Sequence, residues 1–138
     1  MQVTEVKPKK RVKRDFIRTR SHTDRDGRLC VDIGMRITNP LNSSWGRWQV
    51  RAGERKRQRA KFAIAVADAT PPLLVREITF IRYAPRPLDS DGLQAAFKSF
   101  RDEACVWLGA ADDSARSGLA FKYEQYQQHE YGVRVRFA

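Results

Sequence analysis

Histidine, cysteine and long apolar runs are what this chain has least of, and each scarcity removes a class of function. Only two histidines occur, His22 and His129. Neither has a serine or cysteine partner in a recognisable nucleophile motif, which argues against triad chemistry. The two cysteines, Cys30 and Cys105, are too few for a disulfide framework and lack partners at zinc-ligand spacing, so they fit a reducing compartment. No stretch approaches the roughly 20 apolar residues of a spanning helix, and no signal-peptide pattern opens the sequence. A soluble, cytoplasmic protein with no membrane partner is therefore expected. There is no P-loop and no dinucleotide fingerprint, and no small-molecule substrate is expected.

Acidic residues are scarce in the first half only. Residues 1–61 carry 18 basic and 6 acidic side chains, against 9 basic and 10 acidic in residues 62–138, within a net charge of +11 over 138 residues. The length predicts one domain with a genuine core. A basic half beside a near-neutral half containing paired carboxylates suggests a polyanion, most economically nucleic acid, held by one and acted on by the other. The bland alternative is charge kept for solubility or in a tail.

Residues 1–28 read as a polar basic arm, with KPKKRVKR at 7–14 and the turn-like DRDG at 24–27. Lys9, Lys10 and Arg11 in that arm are candidate phosphate contacts, although the run also resembles a nuclear import signal. From residue 29 a single α/β or α+β domain is expected, a mixed β-sheet with helices packed on it in the order β, α, β, α, β, β. CVDIGMRIT at 30–38 reads as a strand ending at Asn39-Pro40. A helix follows from about Trp48 or Val50 to Asp68. Arg51, Arg55 and Arg59 recur at i, i+4 spacing along it and Arg47 extends the row, so this side suits a phosphate backbone or, alternatively, is a solvated helix face. Six of the seven charges from Arg51 to Lys61 are positive, which favours polyanion contact. LLVREITFIRY at 73–83 reads as a strand, and alternation predicts two more at 119–125 and 131–137, joined by a hairpin turn at 127–130.

The stretch LDSDGLQAAFKSFRDEACVWLGAADDS, Leu88 to Ser114, organises the second half. Leu93, Phe97, Phe100, Ala104 and Leu108 form one apolar helical stripe that must bury against the sheet. Asp89 and Asp91 stand at the start of this helix; Asp112 and Asp113 follow its glycine stop, Gly109. Taken singly, each pair reads as helix-cap or turn residues. Taken together, in a chain with a basic half, they suggest hard oxygen ligands for Mg²⁺ or Mn²⁺, of the kind that activates water in phosphodiester cleavage. A helix from Asp91 to Leu108 would be about 26 Å long at roughly 1.5 Å per residue. Its two ends share one metal only if the loop after Gly109 folds back or a second chain supplies the pair. Lys98 lies about 10 Å along the axis from Asp91 and can lean towards a phosphate held there, while Asp102 is placed for an i, i+4 pair with Lys98. DSDG is not a calcium loop, because Lys98 stands where a bidentate Glu is required.

NPLNSSWGRW at 39–48, the basic helix after it, the Leu88 to Ser114 stretch and a strand with Tyr123 and Gln125 together resemble the RusA-type Holliday junction resolvases, especially phage- and prophage-encoded members. The resemblance spans roughly residues 31–137 and implies the RusA-like fold. It also implies that Asp89, Asp91 and the second pair, chiefly Asp113, bind Mg²⁺ or Mn²⁺, and that Lys98 assists catalysis. It further implies a homodimer that places paired nicks across a four-way DNA junction, a two-fold enzyme on a two-fold substrate. Where the family pattern usually has Asn after the second aspartate, this chain has Gly92. The expected function is thus a metal-dependent, structure-selective endodeoxyribonuclease acting in DNA recombination and repair. The rivals are a catalytically impaired DNA-binding protein on the same fold and a basic RNA-binding domain.

Overall fold

In the computed structural model, residues 17–38, 48–109 and 118–138 are described. They form strands β1 (Arg20–Thr23) and β2 (Leu29–Ile33), helix α1 (Trp48–Ala65), strand β3 (Glu77–Ala84), helices α2 (Ser90–Ala96) and α3 (Lys98–Leu108), and strands β4 (Ala120–Gln127) and β5 (Gly132–Phe137). The five strands make one mixed sheet in the order β1-β2-β5-β3-β4. Only β3 and β4 are parallel; every other neighbouring pair is antiparallel. The mixed sheet with helices agrees with the α+β reading.

Period-2 alternation sends Val31 and Ile33 of β2, Ile78 and Phe80 of β3, and Val133, Val135 and Phe137 of β5 to one face. There they meet Phe62 and Ala65 of α1, Leu93 and Ala96 of α2, Phe97, and Phe100 and Ala104 of α3 in a single core. Phe80 anchors it, with its ring 5.3 Å from Phe97 and 5.5 Å from Tyr123. Burying each such ring stabilises the fold by about 1.5–3 kcal/mol. The other face carries Cys30, Asp32, Thr79, Ile81, Tyr83, Arg134 and Arg136, by the same alternation.

Several elements depart from the sequence reading. The stretch read as the end of the basic arm contains β1, which pairs with β2 across the DRDG turn. Asp24 closes that turn by accepting the backbone N–H groups of Asp26 and Arg28, both at 2.9 Å, while Gly27 takes the φ of +83° that a side chain would resist. β2 stops at Ile33 rather than running to Thr38. A Cβ at Gly34 would lie 2.3 Å from the Ile17 carbonyl oxygen, because the incoming chain crosses there. β3 begins at Glu77, and Leu73 and Leu74 ahead of it are 98% and 84% exposed. The single helix expected from Asp91 to Leu108 is two, broken at Phe97 (φ −95°, ψ 3°). The apolar stripe keeps its phase through the joint, so periodicity alone could not reveal the break. Gly109 ends α3 in the left-handed conformation at φ 80°.

The largest correction concerns the last two strands, which are not a hairpin. β4 pairs in parallel with β3 on one side, while β5 runs antiparallel to β3 on the other. The link at residues 128–131 therefore crosses the carboxyl end of β3, a span of about 10 Å at the usual strand spacing. The alternation of each strand was legible; its neighbour was not.

Candidate functional site

The site grows from the carboxyl end of β3, where a parallel β-α-β unit turns from strand into helix. The sequence there is Ala84-Pro85-Arg86-Pro87-Leu88. Two prolines lack N–H donors and cannot extend the ladder, so the carbonyls of this loop need other partners. They find them in side chains from β3 and β4. Gln127 Nε2 donates to Pro85 O at 3.2 Å, and Arg82 Nη1 donates to Arg86 O at 2.8 Å. Gln125 grips Leu88 from both sides, accepting its N–H at 3.0 Å and donating to its carbonyl at 2.7 Å. Arg82 and Gln125 are register partners in the parallel pair. One rung of the sheet thus fixes the residue immediately before Asp89.

Asp89 is the N-cap of α2, its Oδ1 accepting the Gly92 N–H at 2.7 Å. The cap reading is therefore correct for one oxygen and leaves the other available. Asp91 lies in the first turn, and both carboxylates are exposed. Gly92 is buried and contributes its backbone amide to the loop, so the Asp89 turn is tied down here without a side-chain amide. Among the described residues no three His, Cys, Asp or Glu side chains converge. Asp112 and Asp113 lie outside the described residues. The donor set present, two exposed carboxylates at i, i+2 on a tethered loop, fits a hard divalent cation that retains several waters.

Lys98 opens α3 and is held towards Asp102 at 3.3 Å, the i, i+4 pair expected from spacing. Both side chains are about half exposed, at 59% and 48%. An exposed pair of this kind is worth at most about 1 kcal/mol, so the Asp102 contact by itself holds Lys98 only weakly.

On α1, Gln58, Phe62 and Ala65 are buried, whereas Arg51 and Arg55, earlier on nearly the same stripe at 100° per residue, are exposed. The amino-terminal part of α1 therefore presents cations where its carboxyl-terminal part packs. Arg59 is tied to Glu103 of α3 at 3.3 Å, and Arg57 to Glu54 at 3.1 Å. Lys9, Lys10, Arg11 and Arg47 lie outside the described residues.

Two charged groups escaped the sequence reading. Arg82 follows Ile78 and Phe80 on the helix-covered face of β3 and is only 5% exposed; a cation in phase with core residues was the available signal. Burial pushes its guanidinium below the ordinary value, and nearby Arg36 acts in the same direction while Tyr131 opposes them. On the other face, buried Asp32 accepts from Arg134 Nε at 2.7 Å and Nη2 at 3.1 Å, and its Oδ2 lies 2.9 Å from His22 Nε2. That hydrogen bonding raises the Arg134 pKa.

Compared with family models, with curated proteins and with solved structures, the chain matches none. Function must therefore be argued from the residues themselves. No helix among the described residues is long and apolar enough to cross a membrane.

Proposed function

We propose that the chain is a metal-dependent, structure-selective endodeoxyribonuclease that resolves four-way DNA junctions, working as a homodimer. The observation that carries this reading is the pair of exposed carboxylates, Asp89 and Asp91, on a loop that β4 and β3 hold from below. Exposed Arg51 and Arg55 on α1 add sequence-independent affinity for a phosphate backbone. Asp89, through the oxygen not used by Gly92, and Asp91 would hold Mg²⁺ or Mn²⁺, completed by Asp113 with Asp112. Such an ion, when bound, lowers the pKa of a water and screens charge on a phosphodiester. The chain's own contributions are positional. Gln125 sets the height of the loop, and Gly92 orients Asp89. Lys98 exchanges Asp102 for a phosphate oxygen and neutralises it. Two such sites related by a two-fold axis would match the two strands of like polarity in a junction.

The test is nicking of a synthetic four-way junction in Mg²⁺ or Mn²⁺ by the purified chain, beside Asp91→Asn and a linear duplex of the same sequence. Symmetric nicks in the junction alone, lost in the variant, are expected. Tight junction binding without nicks in either metal would replace this reading with that of a catalytically impaired DNA-binding protein. In that event recovery of nicking in Gly92→Asn would locate the impairment.

A further inference from the structure

Resting on the reading above, we infer that Arg82 and Arg36 form a phosphate-binding site at the carboxyl end of β3. It takes a backbone phosphate of the DNA held at the Asp89 and Asp91 loop. The charges at this end of the sheet are out of balance. Moving a guanidinium out of water is costly unless an anion answers it. Elsewhere on the sheet that condition is met, with Arg134 on Asp32 at 2.7 Å and Lys122 on Glu77 at 3.4 Å. Arg82 is more buried than either cation, yet among the described residues it has no carboxylate partner. Its hydrogen-bond partners there are two main-chain oxygens, Arg86 O at 2.8 Å and Ile37 O at 3.4 Å. A guanidinium has five N–H donors in a planar fork, so three remain to be used.

A second cation stands close by instead of an anion: Arg36 directly precedes Ile37, whose carbonyl the Arg82 Nε reaches, and its charge acts on the Arg82 guanidinium. The Arg36 guanidinium carbon lies 4.9 Å from the centre of the Tyr131 ring, and Arg36 itself is exposed. Stacking on the ring fixes the guanidinium plane without consuming its outward donors. Two like charges near one another, one of them buried, are unfavourable alone and favourable around a shared anion. Phosphate suits the fork geometry. The location agrees, since the same Arg82 that has donors to spare also ties Arg86 O in the loop leading to Asp89. Arg82 therefore touches substrate on one side and positions the carboxylate loop on the other.

The experiment uses the full chain without metal and inorganic phosphate as the probe, followed by thermal shift and calorimetry. The wild type is expected to show a saturable rise in Tm, Arg36→Gln to bind phosphate about tenfold more weakly, and Arg82→Lys, which lacks the fork, to lose most of the response. Asp91→Asn should respond as the wild type does. In junction cleavage, Arg36→Gln should raise KM about tenfold with kcat nearly unchanged, the sign of lost uniform binding. Absence of a phosphate response in the wild type would overturn the inference, as would wild-type responses in both arginine variants, leaving Arg82 as a loop tie alone. Arg36 is exposed and does not enter the core, so its variant decides the matter even if Arg82→Lys folds poorly. Phosphate binding that depends on both arginines, in a chain that nicks no junction, would sink the nuclease reading while the phosphate site stands.

Discussion

Two charged clusters sit on opposite faces of one sheet and differ in how fully their charges are answered. On the face away from the helices, Asp32 receives both nitrogens of Arg134 that reach it and faces His22 as well. There the half-buried cation is answered by a carboxylate. At the carboxyl end of β3, Asp89 keeps one oxygen open, Asp91 projects outward and Arg82 retains donors. The first arrangement serves stability and the second is the one we propose for binding, although both contain a buried charge. Burial alone does not separate the two arrangements; whether a carboxylate answers the buried cation does.

Removing Asp91 should break the second cluster most completely. Asp91→Asn is expected to lower junction nicking by at least about a hundredfold with junction affinity nearly unchanged by gel shift; undiminished nicking would detach the carboxylates from the chemistry. Asp32→Ala strikes the first cluster, stranding Arg134, and should cost about 3 kcal/mol in urea unfolding. Little change in the unfolding midpoint would show that Arg134 is served well enough by water. Gln125→Leu lies between the two, removing both hydrogen bonds to Leu88. A stability loss of about 1–2 kcal/mol together with a fall in kcat at constant KM is expected, and a purely thermal effect would reduce Gln125 to a packing residue. Arg51→Gln should lower the salt slope of junction binding by about one; an unchanged slope would remove α1 from the interface.

The smallest effect belongs to Asp24. The backbone N–H of Arg28, followed by that of Asp26, holds its pKa below the ordinary 3.8. A depressed carboxylate contributes stability above its unfolded pKa and loses it as pH falls through the folded value. Asp24→Asn should therefore lower stability slightly at neutral pH and flatten the acid limb, so that the two curves converge as pH falls below about 4. A parallel downward shift at every pH would contradict this assignment.

What could be read from residues alone followed the range of the forces involved. The capping geometry of Asp89, the stop at Gly109 and the Lys98 to Asp102 pair are decided within four residues, and each was legible. The stripe through Leu93, Phe97 and Phe100 was legible because burial repeats with the helix. Phe97 as a break was not, since the aromatic packing that accompanies the joint comes from Phe80 and Tyr123, far away in sequence. Leu73 and Leu74 looked like strand residues because apolarity was the only information available there. The clamp of Arg82 and Gln125 on the loop depends on the parallel register of β3 and β4, which alternation does not encode. Asp89 and Asp91 were found by type and spacing, whereas the residues that hold them in place had to be seen.

The strand order has a further consequence, for how the molecule is made. Among the described residues, the β1 and β2 ribbon joins the rest of the sheet only through β5. β1 and β2 are thus synthesised well before the strand on which they dock, and β3 emerges with neither of its neighbours present. Loss of residues 132–138 would not trim an edge. It would sever the amino-terminal ribbon from β3 and β4, so a chain truncated there should expose unpaired strands on both sides of the gap, the condition in which nascent proteins aggregate.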